Sequence, residues 1–244
     1  VIVGMMPDRR PATGAEEFLA ETEDTAAAVF DAVGFEGKAV QSAGVTTSDR
    51  PVVFVGLGEE LDAEGLRAAA GTARNAVGKA DVVATTLHQV EIDGALSAAI
   101  EGFGLADYRY QSYLSEPDER NALTLELVDA PKGWKAVASE SAAVIDAVAL
   151  ARDLVITARR DKAPLDLAQR ATDAASDTSL KGERWKVARH RKAKMGAVHG
   201  VGLGAPRPPC LLKRTHTVRK PKAKLANGGT GSTIDAGGLS IKPA

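Results

Sequence analysis

Aromatic residues are scarce in this chain: five Phe, three Tyr and two Trp make up 4% of 244 residues. Any core must therefore be filled by Ala, Val, Leu and Ile, and a hydrophobic content of 44% is enough for two modest cores. Cysteine is nearly absent. A single Cys210 excludes an internal disulfide framework, fits a reducing cytoplasm, and reads as a small buried hydrophobe. No stretch has the form of a secretion signal, and no apolar run approaches the roughly 18 residues of a membrane helix, so a cytoplasmic protein is expected. Val1 opens inside an apolar run and Ala244 follows no closing element, so both ends are expected to be cut.

Charge is not scarce but is unevenly placed. The net charge is −1, yet residues 1–150 carry 11 Lys and Arg against 25 Asp and Glu, which leaves 20 against 7 for residues 151–244. An acidic half followed by a basic half points to contact with nucleic acid or between subunits. The plainer reading is a domain whose acidic complement lies elsewhere.

Hydrophobic periodicity predicts strands alternating with helices. Val1-Ile2-Val3 reads as the end of a buried strand closed by Gly4 and Pro7. A helix is expected over 15–33, its apolar side formed by Phe18, Leu19, Ala26, Val29, Phe30 and Val33, with Glu16 and Glu17 favouring its positive end and Gly34 closing it. Residues 51–58 read as a strand running into a turn, 62–79 as an alanine-rich helix, 81–87 as a strand, 92–105 as a helix and 122–128 as a strand. Such alternation implies crossover connections and a largely parallel sheet, hence an α/β domain. A turn-rich stretch at 130–134 precedes one long helix over 135–156, whose apolar face would hold Val137, Val144, Ile145, Val148 and Leu154. Beyond it come a helix over 164–175, a basic run over 181–194, a strand at 210–212 after Pro206, Pro208 and Pro209, and a strand over 223–227.

Several motifs resolve into ordinary structure. Gly56-Leu57-Gly58 between a strand and a helix invites a dinucleotide-binding reading, but the third glycine is absent and Glu59, Glu60 and Asp62 would repel a pyrophosphate. Gly200-Val201-Gly202-Leu203-Gly204 reads as a loop, and residues 228–233 lack the Gly-Lys-Ser/Thr core of a phosphate loop. The histidines His88, His190, His199 and His216 share no zinc spacing, and His190 and His216 read as surface residues within basic runs. The basic run itself (Lys181, Arg184, Lys186, Arg189, Arg191, Lys192, Lys194) could grip phosphate backbones, though a solvated helix face is the simpler reading.

The chemistry-bearing stretch is Thr233-Ile234-Asp235-Ala236-Gly237-Gly238-Leu239-Ser240-Ile241-Lys242-Pro243. A carboxylate can bridge hard cations, a nearby lysine can polarise a carbonyl, and glycines let the backbone pass close to a ligand. This run resembles the metal-binding segment of the leucyl aminopeptidase (cytosol aminopeptidase) family, written VGKGITFDSGGLSIKP. Two further blocks agree in order and spacing: ARDLV at 151–155, and MGAVHGVGLGAPRPPCLLK at 195–213, which is similar to the family's MGxxxGVGxGSxxPPRLI.

The resemblance implies an N-terminal three-layer α/β domain with a mixed, largely parallel sheet over 1–133, a connecting helix over 134–158, and the incomplete opening of an α/β metallopeptidase domain over 159–244. It implies hydrolysis of N-terminal residues from peptides with two divalent metal ions, manganese or zinc, in a homo-oligomer, a hexamer. Asp235 matches the metal-bridging aspartate and Lys242 the lysine that stabilises the developing oxyanion. The family's metal-binding lysine falls on Thr230, a shorter, neutral and weaker ligand. Ile156-Thr157-Ala158 stands where the family has Asn-Thr-Pro, and Ser232 replaces an apolar residue. The later ligands of the family and its catalytic arginine have no counterpart in the chain, so the polypeptide is expected to be an inactive fragment that does not hold metal stably. The alternative is a non-catalytic module that binds nucleic acid or partner subunits through its basic half.

Overall fold

A computed structural model of the protein describes residues 1–47, 50–117, 123–176, 178–229, 231 and 233. Contacts divide the chain into two compact units, Val1–Arg152 and Asp153–Ala244.

The first unit opens with β1 (Ile2–Met6) and the two-residue β2 (Arg10–Pro11), followed by α1 (Glu16–Val33), β3 (Ser42–Thr46) and β4 (Pro51–Gly56). It continues with α2 (Ala63–Ala76), β5 (Val82–Thr85), α3 (Ala95–Asp107), β6 (Thr124–Leu127) and the long α4 (Trp134–Ile156), which runs on into the second unit. The sheet order is β3-β4-β1-β5-β6, with β2 paired to β1. Strands β4, β1, β5 and β6 are parallel, and β3 is an antiparallel edge. The α/β architecture with a mostly parallel sheet is therefore the one expected. The first strand is longer than its sequence suggested, because Gly4 lies inside it.

Alternation along the strands sorts side chains onto two cores. Ile2, Val55 and Val83 face α2 and α3, joining Leu66, Ala70, Ala73, Ala98, Ala99 and Phe103. Val3, Met5, Val52 and Phe54 face α1, joining Phe18, Ala26, Phe30 and Phe35. On α1 the inward stripe is Phe18, Thr22, Ala26 and Phe30, at intervals of four, and Val33 is 60% exposed. Thr22 is tolerated inside because its hydroxyl donates to the Phe18 carbonyl at 2.8 Å. Gly34 ends α1 in the left-handed conformation (φ 66°), a position that charges no steric penalty only to glycine.

The shortage of aromatics is met by close approach of helices. A Cβ at Gly102 of α3 would collide with the Arg67 carbonyl oxygen of α2 and lie 2.6 Å from the Ala70 side chain. The alanine-lined contact is fastened at its rim. The buried Arg74 reaches Asp107 (Nε to Oδ1 2.8 Å), and Arg67 pairs with Glu101 at 2.9 Å and with Glu64.

Helix α4 departs from expectation. Ile145 lies against Gly104 of α3, and Arg152 donates to the Leu105 carbonyl at 2.8 Å and stacks on Tyr108 at 3.9 Å. Yet Ser141 is the helix's sole buried residue, and Val144, Val148, Val155 and Ile156 are exposed. Of the apolar face read from its spacing, Val137, Ile145 and Leu154 are half-buried while Val144 and Val148 are exposed.

The second unit contains α5 (Pro164–Asp173), β7 (Lys181–Trp185), α6 (Val187–Lys192), α7 (Gly196–Gly202) and β8 (Leu211–Thr215), and β7 and β8 form an antiparallel pair. Three expectations fail here. The basic run is not one helix but a strand followed by a short helix. Of the expected loop at 200–204, residues 200–202 belong to the end of α7, and residues 223–227 form no strand. Among the described residues of this unit the buried apolar side chains are few: Ala163 and Ala168.

Candidate functional site

Thr230, Ser232, Asp235 and Lys242 lie outside the described residues. What the structure gives is the local frame leading to them. Thr157, buried at the end of α4, returns its hydroxyl to the Asp153 carbonyl at 2.6 Å and accepts from Arg170 of α5 at 3.4 Å. Pro164 sits at the first turn of α5, where its missing N–H costs nothing, and the Asp166 carboxylate accepts from the Ala163 N–H at 2.9 Å. Strand β7 lies over α5 through Arg184, which donates to Gln169 at 3.4 Å, while Arg214 of β8 donates to the Ala171 carbonyl at 3.3 Å. Gly182 leaves room for the cross-strand Arg214 guanidinium, which a Cβ there would displace. After β8, residues 216–229 are exposed and irregular, and the chain next touches Leu167 of α5 at Gly231.

The glycine-rich block at 196–204 serves packing. A Cβ on Gly202, at the end of α7, would collide with Pro209, so the glycine lets the proline run lie against the helix. His190 is the one histidine whose placement overturns its reading as surface: it is fully buried, and neither ring nitrogen has a hydrogen-bond partner among the described residues. Its position three residues after the half-buried Val187 turns it inward, a short-period signal hidden by the flanking Arg189 and Arg191. His199 accepts from Arg191 at 3.2 Å, and His216, exposed as expected, meets Ser179 at 3.1 Å. Cys210 is only partly buried, and desolvation raises its pKa, with Arg184 opposing. In the first unit His88 is 7% exposed. Burial lowers its pKa, while the carbonyls of Val128 and Asp129 and the Asp129 carboxylate pull the other way.

Electrostatically the second unit presents bare cations. Glu183 pairs with Arg189 at 2.7 Å and accepts from the Trp185 indole at 3.1 Å, and these bonds hold its carboxyl below the ordinary range. Lys181, Lys186, Lys192, Lys194 and Lys213 are exposed without an ion pair among the described residues.

The dinucleotide reading of 56–58 is answered by backbone. A Cβ at Gly56 would run into the Lys38 carbonyl oxygen and lie 2.7 Å from the Gly37 carbonyl carbon, and Gly58 N–H donates to the Gly37 carbonyl at 3.1 Å. The 37–39 loop thus fills the space a phosphate would need. The N-terminus of α2 is already capped by Asp62, which accepts from the Gly65 N–H at 2.7 Å.

No group of three or more His, Cys, Asp or Glu placed to hold a metal ion occurs among the described residues. Nor is any described helix long and apolar enough to cross a membrane.

Comparison with known proteins decides the lineage. The model of the cytosol aminopeptidase family N-terminal domain matches residues 2–117, and that of the same family's catalytic domain matches residues 149–244. The chain belongs to the cytosol aminopeptidase family. It is 38% identical over 228 residues to a probable cytosol aminopeptidase of Rhodococcus jostii, covering 87% of this chain and 44% of that protein. A probable cytosol aminopeptidase of Mycobacterium bovis is 38% identical over 205 residues, covering 79% and 40%. The chain thus spans less than half the length of these curated relatives.

Among solved structures, the bottromycin maturation enzyme BotP, determined in complex with Mn, superposes with a TM-score of 0.71 at 24% identity, covering 88% of this chain and 44% of that one. A mutant tomato leucine aminopeptidase superposes with a TM-score of 0.73 at 18% identity, covering 86% and 46%. At these identities the likeness speaks for the fold.

Proposed function

We propose that the whole protein to which this chain corresponds is a metal-dependent aminopeptidase that releases N-terminal residues from peptides, cytoplasmic and homo-oligomeric, a hexamer, as the family resemblance implies. Residues 1–133 are its N-terminal domain, 134–158 the connecting helix, and 159–244 the opening of its catalytic domain. One observation carries the reading: both family models match in order, and the catalytic one runs through Asp235 and Lys242. In this proposal Asp235 supplies the metal-bridging carboxylate and Lys242 the cation that stabilises the oxyanion. Manganese or zinc is the metal, and manganese has support from the BotP complex.

The 244-residue chain does not fit a pair of metals by itself. A two-metal site needs its full set of charged oxygen and nitrogen donors before affinity follows. Here one carboxylate, Asp235, is accompanied by the neutral hydroxyl of Thr230, and the described residues add no ligand cluster. The chain by itself is therefore expected to be inactive. The test is hydrolysis of leucine amide by purified 1–244, beside a Thr230→Lys variant, with manganese or zinc in excess. Neither protein should turn over. Metal-dependent turnover by the unmodified chain would refute the inactivity, and rescue by the substitution alone would show that the other donors suffice.

A second reading, a nucleic-acid-binding module, is favoured by the unpaired cations of β7, α6 and β8. Such binding would weaken steeply with salt. Undetectable DNA binding at low ionic strength sinks it.

A further inference from the structure

The turn after β5 buries a histidine beside the corner through which the first unit feeds α4. Residues Leu87–Gln89 form a single 3-10 turn, anchored in the core of α2 and α3 by Leu87 and Val90. The Thr86 N–H ties it to β1 by donating to the Ile2 carbonyl at 3.2 Å. The Gln89 side-chain amide ties it to the end of β6 by donating to the Val128 carbonyl at 2.8 Å. The loop before α1 packs on it as well, since a Cβ at Gly14 would collide with the side chains of Gln89 and Thr86. His88 is 7% exposed there, and neither ring nitrogen has a hydrogen-bond partner among the described residues.

A neutral imidazole tolerates such a place better than an imidazolium, whose two N–H groups both need acceptors. The groups that act on the ring belong to the corner after β6: the carbonyls of Val128 and Asp129 and the Asp129 carboxylate. Val128 already accepts from Gln89, and Asp129 is exposed. Asp129 also holds a φ of 52°, a left-handed conformation uncommon in a residue with a Cβ. Of the other elements packed on the turn, β1 carries no charged side chain, and the α3 carboxylates Glu101 and Asp107 are engaged by Arg67 and Arg74. Glu91 and Asp93, just beyond the turn, are exposed.

We propose that His88 is a proton-operated latch on the corner at 128–133. Neutral, it stays packed against the corner and keeps it shut. Charged, it leaves for water and for the Asp129 carboxylate, and the corner and the first turn of α4 loosen. Burial lowers the proton affinity of the ring below its ordinary 6.5, so the corner is shut above about pH 6.5 and opens as pH falls toward the folded value. Every group involved lies in the first unit, so the latch is independent of the aminopeptidase reading.

Hydrogen exchange of the full chain between pH 7 and pH 5, corrected for the pH dependence of exchange itself, tests it. The reporters are the Val128 N–H, bonded to the Thr85 carbonyl at 3.1 Å, and the Trp134 N–H, bonded to the Pro131 carbonyl at 3.1 Å. Their protection should fall by up to about tenfold per pH unit below pH 6.5, because the open form binds one more proton. Exchange at the corner should stay faster than in β4 and ignore low denaturant, which marks a local opening. His88→Gln should abolish the fall. In the unmodified chain, nuclear magnetic resonance should show the His88 ring and the Val128 amide titrating with one midpoint below 6.5, a result independent of how the variant folds. Unchanged protection between pH 7 and pH 5, a fall that persists in His88→Gln, corner exchange only together with β4, or a Val128 amide blind to the His88 midpoint would each overturn the proposal.

Discussion

Residues 1–152 and 153–244 are built on opposite terms. The first unit is acidic and has two apolar cores, one on each face of a five-strand path, with Ile2, Val3, Phe54, Val55 and Leu66 fully or almost fully withdrawn from water. The second is basic, and its two-stranded sheet leaves most of β7 exposed over a single short helix. Hydrophobic burial drives folding at roughly 25 cal/mol per Å² of apolar surface. Stability should therefore reside in the first unit, with the second opening at lower cost.

Truncating the core should give the largest contrast. Phe54→Ala removes a ring that lies edge-on to Phe30 at 5.1 Å, and should cost about 3–5 kcal/mol of first-unit stability. Leu212→Ala, on the half-exposed β8, should cost about 1 kcal/mol or less. Denaturant unfolding read by region-resolved hydrogen exchange separates them, and equal losses would erase the distinction between the units.

Glycines sharpen it further. Gly102→Ala forces a methyl between α2 and α3 and should destabilise the first unit by about 1–3 kcal/mol. Gly200 lies within α7 with open space around it, so Gly200→Ala should stabilise the second unit by about 0.5–1 kcal/mol. Thermal unfolding of both variants checks the opposite signs.

These contrasts explain what the sequence could and could not reveal. The first unit was legible because its strands and helices are long and its alternation is clean, as in Val52 to Val55, where successive side chains enter opposite cores. Misreadings there concern facing: Thr22 turned inward where Val33 was expected, since a hydroxyl bonded to its own helix can replace an apolar side chain. In the second unit charge hid the pattern. Lys181 to Trp185 pairs as a strand although three of its five residues are charged, and His190 is buried although exposed arginines flank it in sequence. Gly196 to Gly202 forms a helix although glycine disfavours one. For the site, the motif offers Thr230, Asp235 and Lys242 only by resemblance to the family, and their placement falls outside the described residues.

The smallest effect expected is one of pH. Burial lowers the pKa of His88 below its ordinary 6.5, so the unfolded chain binds the proton more readily than the folded one. That contribution to first-unit stability is present above about pH 6.5 and fades as pH falls through the folded value. A His88→Gln variant should flatten the dependence in equilibrium unfolding between pH 7 and pH 5. An unchanged slope would mean that other groups carry it.

The central claim of the proposed function is that this chain carries Asp235 at the metal-bridging position and Lys242 at the oxyanion-stabilising position without an assembled two-metal site. Manganese binding to purified 1–244, followed by electron paramagnetic resonance with an Asp235→Asn variant alongside, tests it most directly. The account predicts weak, non-saturating binding that the substitution leaves unchanged. Tight, saturable binding of manganese that disappears in Asp235→Asn would contradict it.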